Sequence, residues 1–198
     1  MSRCAALGER SASSARDTTL AALPSRTSNA AFFEVSRTGR QPVDVTALSL
    51  LEFVRDLDAE VRRGWSAPTV ELVWGLPAEP APLHTDPMKL KIVLKNLIDN
   101  AMKFTDRGSV SVHVTSLTEG YEFVVSDTGI GIAPHLLPII FEPFAQGDSA
   151  QRPSRGVGLG LYVVRRLLEM LGGSVTVESR VGQGTTFQVH VPSLASST

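Results

Sequence analysis

The chain has 198 residues, 42% of them hydrophobic, and a formal net charge of −1. That suits one ordinary domain with a core and offers no basic excess for nucleic acid, which is not expected as a partner. The single Cys4 and four scattered histidines exclude a disulfide framework and a zinc cluster, and no apolar run approaches the roughly 18–20 residues that span a bilayer.

Residues 1–29 are rich in Ser, Ala, Arg and Thr and bury too little to offset their ordering entropy, so they read as a disordered tail. Residues 30–38 could form a short helix ending near Gly39. Leu48, Leu51, Val54, Leu57 and Val61 recur at helical spacing, which predicts a helix from about Thr46 to Arg63 stopped at Gly64. Val70 to Trp74 alternates as a strand and runs into a proline-rich loop, LPAEPAPLH, that places His84 in a loop.

Asp86-Pro87 opens the main helix, with proline in the first turn where its missing N–H costs nothing. Along that helix Leu90, Leu94, Leu97, Ile98 and Ala101 share one side, and Asn96, Asn100 and Lys103 form a narrow stripe opposite. Ser109–Thr115 and Tyr121–Ser126 alternate as a hairpin, and Pro134–Ile140 reads as a short helical piece. Residues 145–155 are polar and breaker-rich, a mobile loop. Val157–Leu171 is helical, closed by Gly172-Gly173, and Ser174–Ser179 with Thr185–Val191 makes a second hairpin. Mostly antiparallel strands with segregated helices imply an α+β two-layer sandwich.

Three segments invite chemistry. A solvated helix face would sooner carry Lys and Glu than two Asn at i, i+4, so the stripe suggests amides that hold something. Asp127 ends an apolar strand before Thr128-Gly129; an acceptor-only carboxylate there suits an exocyclic amino group such as that of adenine, although a lone D-T-G also caps turns. Gly156, Gly158 and Gly160 open a helix, where exposed N–H groups attract anions, although GVGLG alone could be only a tight turn. The chain has no Gly-Lys pair for a GxxxxGK[ST] loop, and the glycine spacing is too short for a dinucleotide fingerprint.

Together these segments resemble the ATP-binding catalytic domain of sensor histidine kinases, within the gyrase, heat-shock-ATPase, histidine-kinase and MutL superfamily. The resemblance covers roughly 84–192 and rests on LKNLIDNAMKFT (94–105), DTGIGI (127–132), FEPF (141–144), RGVGLGL (155–161) and GQGTTF (182–187). It implies a Bergerat-type sandwich that binds ATP with Mg²⁺. Asn100 would hold the metal with Asn96 in support, Lys103 would meet phosphate, and Phe104 would pack on the adenine side. Asp127 would accept from the adenine amine, with Gly129, Gly131 and Ile132 lining the approach. Arg155, Gly156, Gly158, Leu159 and Gly160 would close over the phosphates, Thr185 would sit near the base, and Phe141 and Phe144 would anchor the lid. Asn100, Lys103 and Arg155 would form the catalytic group.

Two departures qualify the resemblance. Kinases of this family carry an acid-flanked phosphoacceptor histidine on an upstream helical hairpin, yet no histidine precedes His84. Residues 30–45 resemble the end of that hairpin and its linker, leaving 46–192 as the catalytic domain and 193–198 as a tail. The expected protein is therefore a cytoplasmic, monomeric kinase domain that phosphorylates a histidine-bearing partner, which then serves a response regulator. Second, hydrolytic relatives place a Glu where Asn96 stands, and Asn96 cannot act as that base. A non-catalytic ATP-dependent binding module and an anti-sigma-type serine kinase are the alternatives.

Overall fold

The computed structural model describes residues 42–65, 69–145 and 158–194. The predicted tail 1–29, the helix at 30–38 and most of the 145–155 loop lie outside them. Among the described residues, three helices cover one face of a five-stranded sheet ordered β2-β4-β5-β7-β6. The strands are β2 (Val70–Gly75), β4 (Gly108–Leu117), β5 (Gly120–Asp127), β6 (Ser174–Arg180) and β7 (Gly184–Pro192). All pair antiparallel except β2 with β4, whose parallel pairing requires a crossover. That crossover contains the main helix, α2 (Pro87–Phe104), which lies between α1 (Leu50–Gly64) and α3 (Gly160–Met170).

Period-two alternation in the strands sends Val110, Val112, Val114, Tyr121, Phe123 and Val125 toward the helices, with Phe187, Val189 and Val191 beside them. The helices answer with Leu57 and Val61 of α1, Leu90, Leu94, Leu97 and Ile98 of α2, and Val164 and Leu168 of α3. The α+β two-layer sandwich expected from the sequence is the observed architecture. Asp86 caps α2: its carboxylate accepts the amides of Met88 (3.1 Å) and Lys89 (3.0 Å), two of the donors that a helix start leaves unpaired. Lys91 reaches Glu60 at 2.6 Å and fixes α1 against α2.

Five expectations require correction. Thr46–Leu48 is not the first turn of a helix but strand β1, paired antiparallel with β3 (Leu83–Thr85). The apolar spacing ran helical through Leu48, and a partner almost forty residues away leaves no local signal. For the same reason His84 stands in a strand, not a loop. The 134–140 segment is no helix: Leu136 bonds to Ala133, Ile139 to Leu136 and Glu142 to Ile139, each three residues back. Pro138 has no N–H to offer Pro134, so an i→i−4 ladder cannot continue there. Finally α3 begins at Gly160 rather than at 157, because Gly158 takes a φ of 73° that a helix excludes. Ser193 and Leu194, expected in the tail, are hydrogen-bonded into the fold.

Candidate functional site

The sheet end where β5 stops carries Asp127, which is half-buried. Its Oδ1 accepts the Gly129 amide at 2.8 Å, an Asx-type turn that starts the loop 128–133. Thr185 stands opposite on β7 and also donates its amide to Asp127. Burial pushes this carboxyl above the ordinary carboxylate range, while the amides of Gly129 and Thr185 pull it back only partly.

The loop after Asp127 is held on two sides. The Ile130 amide donates to the carbonyl of Phe104, the last residue of α2, at 3.1 Å, and the Gly182 amide donates to Ile130 at 2.8 Å. Gly129 and Gly131 are required by these close approaches: a β-carbon on either would run into the carbonyl of Phe104 or Arg180 respectively. Ile132 donates its amide to Ser179 Oγ at 2.8 Å. That hydroxyl donates in turn to the Gly184 carbonyl (2.9 Å) and meets Thr185 Oγ1 at 3.0 Å. Thr185 is buried and its hydroxyl is engaged with Ser179. Ser179 and Gly184 thus fix the loop and the Asp127 strand end together. Gly184 belongs to the GQGTTF motif, but Ser179 carried no sequence signal for that task and read as an ordinary hairpin residue.

The Asn stripe faces the start of α3. Asn96 Nδ2 donates to Ile92 O at 2.8 Å, which turns its Oδ1 outward. A β-carbon on Gly160 would lie 3.0 Å from that oxygen and 3.9 Å from Asn100 Nδ2. Glycine therefore allows the positive end of the α3 dipole to approach both carboxamides. Leu159, the residue before α3, is buried. Lys103 lies one turn beyond Asn100 with its ammonium 4.7 Å from the Phe104 ring centroid, a cation–π contact that leaves Phe104 partly exposed.

The predicted residues thus fall into two groups joined by α2. Asn96 and Asn100 face Gly160, with Gly158 and Leu159 just before it. Lys103 and Phe104 end the helix beside the turn that carries Asp127, Gly129, Gly131 and Ile132, with Thr185 opposite. Arg155 and Gly156 lie outside the described residues. Phe141 packs edge-on against Phe187 (centroids 6.4 Å apart). Phe144 holds a φ of 64° and donates its amide to Gly158 O at 3.0 Å, joining the two residues that flank 145–157. Arg165 of α3 reaches Glu142 at 3.3 Å and ties the same segment to the helix. The described residues hold no group of three His, Cys, Asp or Glu fit for a metal, so any cation here would depend on carboxamide oxygen and ligand phosphate. No described helix is long and apolar enough to cross a membrane.

Residues 85–195 match the family model described as histidine kinase-, DNA gyrase B-, and HSP90-like ATPase. The chain is 40% identical over 117 residues to the sensor histidine kinase RcsC of Escherichia coli K12, a match spanning 59% of this chain and 12% of RcsC. It is 41% identical over 129 residues to the histidine protein kinase DivJ of Caulobacter vibrioides, spanning 63% of this chain and 21% of DivJ. Among solved structures, full-length ShkA in complex with AMPPNP superposes with a TM-score of 0.72 at 27% identity, covering 87% of this chain and 36% of ShkA. The chain thus spans a minor part of the length of each.

Proposed function

Because the chain belongs to the histidine kinase-, DNA gyrase B- and HSP90-like ATPase family, we propose that it is the ATP-binding catalytic domain of a two-component sensor histidine kinase. It transfers the γ-phosphoryl group of ATP to a histidine on another chain. The observation that carries this reading is a carboxamide pair, Asn96 and Asn100, facing Gly160 at the start of α3, while the turn that Asp127 opens is bonded to Phe104 at the end of the same helix.

The Asp127 carboxylate, which receives the amides of Gly129 and Thr185, keeps acceptor capacity for the adenine amino group. Guanine presents a carbonyl there, so adenine is preferred. Phe104 covers the base, and the phosphates extend along the α2 stripe toward Lys103 and the first amides of α3. Arg155 and Gly156 add a cation and a backbone donor from the 146–157 segment. The Asn100 carboxamide fits a magnesium ion: it is half-exposed, supplies a hard oxygen and makes no hydrogen bond among the described residues, with Asn96 beside it. Bound there, Mg²⁺ would neutralise charge on the phosphates.

The side chains of the site orient and neutralise; they form no covalent intermediate. The imidazole nitrogen of the partner histidine attacks the γ-phosphorus, the bond to the bridging oxygen breaks, and ADP leaves. Asn96 cannot activate water, which favours transfer over hydrolysis. The chain's own histidines are poor acceptors. None of the four stands on a described helix, where the family's phosphoacceptor sits: His84, His113 and His190 lie on strands and His135 in the turns at 134–141. A cytoplasmic monomer serving a hairpin-bearing partner, and through it a response regulator, completes the proposal.

Labelled ATP, the purified chain and a separate protein bearing a phosphoacceptor hairpin test it. Label is expected on the partner, with none on the chain alone, and acid should release it as phosphohistidine. Acid-stable label would indicate a serine kinase, and no label at all a binding module.

A further inference from the structure

Strand β3 joins the incoming and outgoing ends of the described domain. On one edge it pairs with β1, Thr46 opposite Thr85 and Leu48 opposite Leu83. On the other edge the Leu194 amide donates to His84 O at 2.8 Å, and the His84 amide donates to Ser193 Oγ at 3.1 Å. Successive residues of a strand offer their backbone groups to opposite edges, so His84 serves the outgoing residues while Leu83 and Thr85 serve β1. Ser193 is held further by its own amide on Glu119 O at 3.1 Å.

The same strand continues directly into the cap of α2. Asp86 accepts the Asp44 amide at 3.1 Å and the Lys89 ammonium at 2.6 Å, and Lys89 also donates to Pro42 O at 3.1 Å. Both charged side chains are buried, so neither can be released into water without opening this corner. Between the two edges sits Thr85, fully buried with a hydroxyl that has no partner among the described residues. A buried hydroxyl left unpaired is costly, and it sits at the point where both ends of the domain are tied.

We propose that β3 is a coupling strand: the contacts holding residues 42–48 and those holding 193–194 are energetically linked through it. The reason lies in its length. Three residues contribute few contacts of their own, so the entropy of ordering β3 is shared by its two edges. When one edge is lost, the other must meet that cost alone and opens more often. Thermodynamic linkage makes the effect reciprocal, so what displaces residues 42–48 loosens Ser193 and Leu194, and the converse.

Amide hydrogen exchange by NMR on the full chain tests this with no ligand present. Leu194→Pro removes the donor to His84 and should speed exchange at Asp44 by at least about fivefold. Lys89→Met removes the clamp on Pro42 and should speed exchange at Leu194 by a similar factor. Amides in β4 and β5 should keep their rates in Leu194→Pro, and in Lys89→Met, which also leaves Asp86 without its buried partner, they should speed less than Leu194 does. Thr85→Val replaces the unpartnered hydroxyl with a methyl and should slow Asp44 and Leu194 together; this arm decides the matter if Leu194→Pro fails to fold. Effects confined to the altered edge, or an equal rise throughout β4 and β5, would overturn the proposal.

Discussion

Asp127 and Thr185 stand opposite each other in the β5–β7 ladder, and the carboxylate of the first receives the amide of the second as well as that of Gly129. Two donors do not fully offset the burial of the charge, which leaves the carboxyl raised. The free protein therefore holds an anion at some cost to its stability, as a recognition group for an amino donor would require.

The sign of that cost gives a prediction. Between the ordinary carboxylate pKa and the raised folded value, the native state keeps a proton that the unfolded chain releases, so stability falls as pH rises through this window. Asp127→Asn cannot ionise and escapes the loss. The variant without ligand should be at least as stable as the parent at neutral pH, with the gap closing in acid. Its ATP affinity should nevertheless fall by about 1–3 kcal/mol, the scale of a hydrogen bond to a charged group. Thermal melts at two pH values and a calorimetric titration measure both; a destabilised variant with unchanged affinity would remove Asp127 from the site.

Asn100→Ala should leave the fold intact, because position 100 is half-exposed and away from the apolar side of α2. ATP affinity should lose its dependence on magnesium. Titrations with and without Mg²⁺, on protein whose circular dichroism matches the parent, decide it. A steep magnesium dependence that survives would put the metal elsewhere.

Asp86 behaves oppositely to Asp127. Burial raises its pKa, but the Lys89 ammonium and the amides of Lys89 and Asp44 outweigh that and hold it below the usual range. Its stabilisation is complete above the ordinary carboxylate pKa and is lost as pH falls through the depressed folded value. Asp86→Ala leaves Lys89 buried without its partner and should cost about 3–5 kcal/mol at pH 7. Urea unfolding should show that difference shrinking in strong acid. An equal penalty at every pH would mean that the charge pair contributes nothing.

Gly184 takes a φ of 105°, and a β-carbon there would run into the Asp127 carbonyl; Gly182 takes a φ of 77° with nothing within 4 Å. Gly182→Ala should cost only backbone strain, about 1–3 kcal/mol. Gly184→Ala should cost more, and it should also weaken ATP binding because the displaced group is Asp127. Equal melting temperatures for the two variants would contradict the close approach.

Most of the two layers was legible in local pattern. The period-two runs at 109–115, 121–126 and 185–191 exist because each strand has one face on the helices and one away from them. The 3.6-residue period of α2 separated Leu90, Leu94 and Leu97 from Asn96 and Asn100 for the same reason. What pattern could not supply was pairing across distance. β1 and β3 are three residues each, too short for a period, and they are strands only because they meet each other.

The site divides along the same line. Sequence by itself determined which residue types were available: two carboxamides and a lysine on one helix stripe, a carboxylate at a strand end, and glycines before a helix. Those choices are costly to a helix or a turn and so stand out locally. Tertiary structure alone decided that Gly160 abuts Asn96, that Ser179 and Gly184 brace the Asp127 loop, and that His84 is bonded on an edge of β3. These contacts join residues far apart in the chain, and even where a motif marked Gly160 or Gly184, the local sequence could not say which residue each would meet.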